Sequence, residues 1–210
     1  MNMASLWNAL VNISLFVLMF FSTALPLAFP NRDELLMSGL FFPYAIIVQF
    51  LAIMPIYFLF FRDKEAFRAG QFSSLQFMMF MTLIIITQYI VSNVFFPSER
   101  QVSNGKVLNL PVLTILLTQL TYGFLAPIYE EITIRGGLLA GLNIVFKNKL
   151  VAAIVTSLIF SLMHTQHLEF KYFLILFLVS LIFILAKVVS GGLLLPIVLH
   201  ISMNLFAING

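Results

Sequence analysis

Glu130 and Glu131 stand side by side, with Arg135 four residues beyond the second, in a segment otherwise dominated by Leu, Ile, Thr and Gly. Two histidines lie in later apolar segments: His164 ends the run Phe160-Ser161-Leu162-Met163-His164, and His200 is followed four residues on by Asn204. These are the residues whose types could do chemistry. A carboxylate beside an imidazole in a sheltered cavity can hold and deprotonate water, pass protons, or ligate a metal. A Glu and an Arg by themselves can instead be a packing pair. The chain contains no cysteine, so disulfides, thiolate ligands and thiol nucleophiles are excluded and any nucleophile must be oxygen-based.

Of the acidic residues, Asp33, Glu34, Asp63, Glu65, Glu99 and Glu169 fall in connections, and only Glu130 and Glu131 fall well inside an apolar segment. An ionisable group there costs a few kcal/mol on insertion scales, and it persists where it faces protein or water and has a partner. The spacing of Glu131 and Arg135 puts both on one helix face, with Glu130 about 100° round the helix. One carboxylate can then neutralise Arg135 while the other points elsewhere. His200 and Asn204 likewise share a face. A single histidine in such a segment would be read as bonded to a backbone carbonyl; the set of three polar clusters in successive segments favours one shared site.

The elements that must position these groups are membrane helices. Of 210 residues, 61% are hydrophobic and 9% charged, with mean hydropathy +1.07, whereas a soluble domain carries roughly a quarter charged residues. There is too little polar surface for water to be the main solvent. Apolar stretches of spanning length recur, and we count seven: Leu6 to Phe29, Leu36 to Phe61, Phe72 to Phe96, Asn109 to Phe146, Leu150 to His167, Phe170 to Val189 and Leu193 to Asn209. The fourth is too long for one simple span, and Pro127 and Gly136-Gly137 predict that it bends, tilts or divides, which leaves six to eight crossings open. The fold class is therefore an all-α polytopic bundle with a polar intramembrane site. Residues 1–210 are read as one membrane domain, with three less specific spans in 1–108 and a core carrying the candidate site in 109–209.

Connections such as Arg62 to Gly70, Pro97 to Val107 and Lys147 to Lys149 are short and polar. The first stretch is read as a retained span, because it is long and no positive charge precedes it. The dispersed Phe residues are read as lipid-facing. With seven spans, one face carries Arg62, Lys64, Arg68, Lys147, Lys149 and Lys187 and the other Arg32, Arg100, Lys106 and Lys171, a weak bias toward a cytoplasmic N-terminus. At about 1.5 Å per residue, Glu130, His164 and His200 lie roughly 24, 21 and 14 Å from segment ends on one membrane face, so a common cavity is feasible. The scattered net charge of +3 gives no nucleic-acid surface.

The set Glu130-Glu131-Ile132-Thr133-Ile134-Arg135, Phe160 to His164 and His200 to Asn204 resembles, in order and relative spacing, the CAAX-protease and bacteriocin-processing (CPBP, or Abi) membrane peptidases. The resemblance covers about residues 109–209; Ile134 departs from it, since many relatives place an aromatic residue before the arginine. It implies a cell-membrane enzyme, bacterial and cytoplasmic-membrane in location, that hydrolyses a peptide bond in a membrane-associated peptide or protein. By analogy, Glu130 assisted by His164 holds and deprotonates the water, His200 and Asn204 donate to the oxyanion, and Glu131 and Arg135 fix the helix and the local charge. The two glutamates could exchange roles. Bacteriocin processing or self-immunity is expected ahead of prenyl-protein processing.

No cofactor is expected. The alternative is a divalent metal such as zinc on Glu130, His164 and His200; His167 would be a further ligand, but it sits beside the loop near Glu169 and no His-Glu-x-x-His helix is present. The expected partners are membrane lipid and a peptide or protein substrate. The competing class is a non-catalytic membrane protein, an immunity factor, sensor partner or small transporter, for which buried Glu, Arg and His would serve an ion path. A transporter should carry an inverted repeat, which the sequence does not display.

Overall fold

The computed structural model describes residues 2–96, 111–164 and 169–209. Among them are eight helices and no strand: α1 Met3–Ser22, α2 Arg32–Met37, α3 Phe41–Phe60, α4 Ser74–Phe95, α5 Val112–Phe146, α6 Lys149–Met163, α7 Phe170–Ser190 and α8 Leu194–Asn209. Each of the seven expected apolar segments contains a helix among the described residues, but five are long and apolar enough to cross a membrane: α1 with its 3-10 extension to Ala28, α3, α4, α5 and α7. The 15 residues of α6 span about 22 Å, short of the roughly 30 Å hydrocarbon core. The result is an all-α polytopic membrane bundle.

Several boundaries differ from the sequence reading for local reasons. Prolines at 26 and 30 end the first helix early, α1 giving way to a 3-10 turn Leu25–Ala28. The stretch expected to begin at Leu36 is two helices, because α2 stops at Met37, Gly39 takes a positive φ of 75°, and α3 starts at Phe41. The segment expected to reach His167 leaves helical geometry at His164, and His167 itself lies outside the described residues.

Helix α5 stays continuous through Pro127. Proline removes an amide donor and crowds the carbonyl four residues back, and the helix accommodates it by widening to a π turn over Thr121–Leu125. A second π stretch runs Glu131–Leu138, and such widened turns recur at functional sites. One face of α5 is stripped of side chains so that α1 can approach. A Cβ on Gly137 would sit 2.8 Å from the Asn12 carbonyl oxygen, and one on Gly141 would sit 2.9 Å from that of Ala9. Small residues four apart allow this backbone approach, which is how membrane helices gain packing energy.

The polar connection between α3 and α4 folds back on the bundle. Arg68 and Ala69 carbonyls accept from the amides of Leu193 and Leu194, both at 2.9 Å, and Gln71 N–H donates to Ser190 O at 2.8 Å. Carbonyls from one loop thereby satisfy amides at the start of α8, which a helix cannot satisfy internally. The approach requires Gly70 and Gly192, since a Cβ on Gly70 would lie 2.5 Å from Gly192 N. Outward-facing apolar side chains such as Leu75, Met78, Met79, Ile85 and Ile86 on α4 are exposed, as expected for a lipid-facing wall. The Phe residues divide: Phe20, Phe58 and Phe60 are exposed, but Phe160 and Phe183 are fully buried.

Candidate active site

Glu131 is wholly buried, and its Oε1 lies 3.0 Å from Arg135 Nη1 and 2.9 Å from His200 Nδ1. Glu130 is less buried, and its Oε2 lies 3.9 Å from His200 Nε2. The two carboxylates therefore do not diverge as an ordinary α-helical rotation predicts: at the junction where the α-helical turn ending at Glu130 meets the π stretch, they flank the two nitrogens of one imidazole. A carboxylate only accepts, so His200 donates Nδ1–H to Glu131 and presents Nε2 toward Glu130.

Arg135 is completely buried and supported on three sides. Its guanidinium lies over the Phe160 ring at 4.5 Å and near the Phe183 ring at 5.4 Å, and Nη2 donates to Ser180 Oγ at 2.9 Å. Ring faces stabilise a cation that has left water. Lys187 was read as a loop cation, but it lies inside α7 and turns inward, its Nζ donating to the carbonyls of Arg135 and Ala66. It ties the widened turn of α5 to the α3–α4 connection.

His164 caps the end of α6, and its Nδ1 lies 2.8 Å from Phe160 O. A carbonyl accepts only, so Nδ1 carries the proton and Nε2 keeps its lone pair. His164 and Glu130 line one cavity of about 170 Å³ with Met19, Thr23, Gln49, Tyr129, Ile134, Phe160 and Met163. Polar groups that α5, α6 and α3 bring to it are thus a carboxylate, an unprotonated imidazole nitrogen, a phenol and an amide.

Asn204 sits one turn beyond His200 on α8, half-buried, and its Nδ2 donates to the Tyr122 carbonyl at 2.8 Å. That carbonyl belongs to the π turn Thr121–Leu125. Asn204 is not among the residues lining the cavity; one of its two amide hydrogens is committed to α5. Among the described residues no group of three or more His, Asp or Glu side chains is spaced to hold a metal ion.

Sequence reasoning missed Ser180, Lys187, Gln49 and Tyr129. Gln49 carried a usable signal, being a carboxamide in the middle of the apolar run Phe41–Phe60, where a polar group requires a partner. Ser180 did not, since serine is common in membrane helices.

This fold and this buried carboxylate–imidazole–guanidinium cluster define a multi-pass membrane protein with a polar intramembrane site. Residues 112–206 match the model of the family described as Rce1-like, "Type II CAAX prenyl endopeptidase Rce1-like". The segment that builds the site is thus the segment similar to that family. The chain is also similar to an "Uncharacterized 24.3 kDa protein" of Escherichia coli, 40% identical over 93 residues that make up 42% of this chain and 41% of that protein. The match therefore spans well under half of that relative. No solved structure matches.

Proposed function

We propose that this protein is an intramembrane endopeptidase that hydrolyses a peptide bond in a membrane-associated peptide or protein, without a metal in the catalytic step. Amide hydrolysis requires a base for water, donors for the tetrahedral oxyanion and a proton for the leaving amine. Glu130 is the base, and a water in the cavity is held between its carboxylate and His164 Nε2. The single observation that carries this reading is that Glu130 and His164 line the same small cavity. The hydrogen bond from His164 to Phe160 O supports it by leaving Nε2 as an acceptor for one hydrogen of that water.

The water attacks the carbonyl carbon and its proton passes to Glu130. The leaving nitrogen takes that proton as the C–N bond breaks, which returns Glu130 to its starting state. His200, oriented by its contact with Glu131, donates to the oxyanion, and Asn204 fixes α8 against α5 through the Tyr122 carbonyl. Glu131 and Arg135 hold His200 rather than meet substrate, an assignment favoured by the complete burial of both. The site belongs to the bacterial cytoplasmic membrane, and processing of, or immunity to, a secreted peptide is the biological role we favour over prenyl-protein processing.

The test is to reconstitute the protein in liposomes with membrane extracts and identify new peptide amino termini by mass spectrometry. Termini that arise with the wild type and vanish with Glu130→Gln and with His164→Ala are the expected result. Termini unchanged in both variants would refute the assignment.

A further inference from the structure

Gln49 has no part in the hydrolytic cycle, yet it is a polar side chain only 8% exposed in the middle of α3. In hydrocarbon such an amide must be hydrogen-bonded or face a polar cavity. One end is accounted for: Tyr129 O–H donates to Gln49 Oε1 at 2.8 Å. No other hydrogen bond of Gln49 is formed among the described residues, which leaves its amide nitrogen without a protein partner, and Gln49 lines the same cavity as Glu130 and His164. A carboxamide has two polar ends, so whichever one Tyr129 takes, the other remains for a ligand.

Resting on the peptidase reading, we infer that Gln49 positions the substrate, pairing with the backbone amide of an extended peptide whose uncharged aliphatic side chain enters the cavity. A primary amide and a peptide group are complementary, each with a donor and an acceptor. The walls beside Gln49 are Met19, Ile134, Phe160 and Met163, which suit an aliphatic side chain. No Lys or Arg lines the cavity and Glu130 does, so an acidic side chain or a free carboxyl terminus meets repulsion and finds no partner. The volume of about 170 Å³ corresponds to roughly five or six waters at their liquid share, room for one medium side chain beside the attacking water.

The experiment measures binding, so that it does not depend on turnover. Fluorescein-labelled ten-residue peptides with Leu or Glu at the central position are titrated by anisotropy against the Glu130→Gln protein in detergent micelles. The same titration is run with Gln49→Met and, separately, Tyr129→Phe added, and the thermal stability of each variant is recorded. The Leu peptide is expected to bind, the Glu peptide to bind at least tenfold more weakly, and Gln49→Met to weaken the Leu peptide about three- to tenfold, the loss of one hydrogen bond. Tyr129→Phe should lower stability while changing binding less than twofold. The inference is overturned by no binding, by equal binding of the two peptides, by no effect of Gln49→Met, or by equal effects of Gln49→Met and Tyr129→Phe, which would make Gln49 a fastener for Tyr129. Cleavage of the Leu peptide by the wild type reports separately: binding without cleavage would contradict the hydrolytic reading and leave the binding site standing.

Discussion

His200 Nδ1 lies 2.9 Å from Glu131 Oε1, the same oxygen that Arg135 Nη1 approaches to 3.0 Å. One carboxylate oxygen thus serves a guanidinium from its own helix and an imidazole from the last helix, while Glu131 Oε2 has no hydrogen-bond partner among the described residues. The relationship separates two adjacent glutamates of identical chemistry: Glu131 belongs to the buried scaffold, and Glu130 to the cavity.

That separation predicts different stability effects. Glu131→Gln leaves the fully buried Arg135 without its counter-charge and should cost about 3–5 kcal/mol, whereas Glu130→Gln should cost under about 1 kcal/mol. Thermal unfolding in detergent measures both. Glu131→Gln combined with Arg135→Met should recover much of the loss, because the unpaired charge is gone.

Both histidines should carry a proton on Nδ1. Both place Nδ1 against an acceptor, Phe160 O for His164 and Glu131 for His200. Nitrogen NMR of the histidine-labelled protein should find protonated Nδ1 in each. An Nε2–H tautomer at His164 would remove its capacity to accept from a water.

Lys187 should behave as a structural cation. Lys187→Met removes the donors to Arg135 O and Ala66 O and should destabilise by about 2–3 kcal/mol, since hydrogen bonds from charged groups are worth roughly 1.5–3 kcal/mol each and the cation's own desolvation cost is relieved. Lys187→Arg should retain more stability than Lys187→Met in the same melt.

Two glycines should respond in opposite ways. Gly137→Ala places a Cβ 2.8 Å from Asn12 O, a backbone atom that cannot turn aside, and should cost about 1–3 kcal/mol. Gly191→Asn meets open space at a φ of 70° that Asn tolerates, and its melting temperature should move by only a few degrees.

How much of this was legible in the sequence follows from what each residue type must do in lipid. Glu130, Glu131, Arg135 and the two histidines announced themselves because charge and imidazole in an apolar run require partners, and Arg135 does meet Glu131 at the predicted spacing. That both glutamates face His200 was not legible, because it depends on where α8 packs against α5, and neither that approach nor the π stretch over Glu131–Leu138 is encoded in Ile-Thr-Ile. Lys187 was misplaced because a cation near the end of an apolar run reads as an interfacial anchor; its inward course follows from the carbonyls of Arg135 and Ala66, which tertiary packing brings within reach. The early end of α6 escaped notice because apolar runs do not mark where a helix stops, and His164 ends α6 without proline or glycine.

The central claim rests on Glu130, and the most direct measurement is the initial cleavage rate of a substrate peptide by Glu130→Gln relative to wild type, at matched melting temperature. As the base that activates water, its loss should lower the rate by about 10²–10⁴-fold while peptide binding persists. A rate within a few-fold of wild type in a folded protein would contradict the account, and would leave the buried cluster as a packing device.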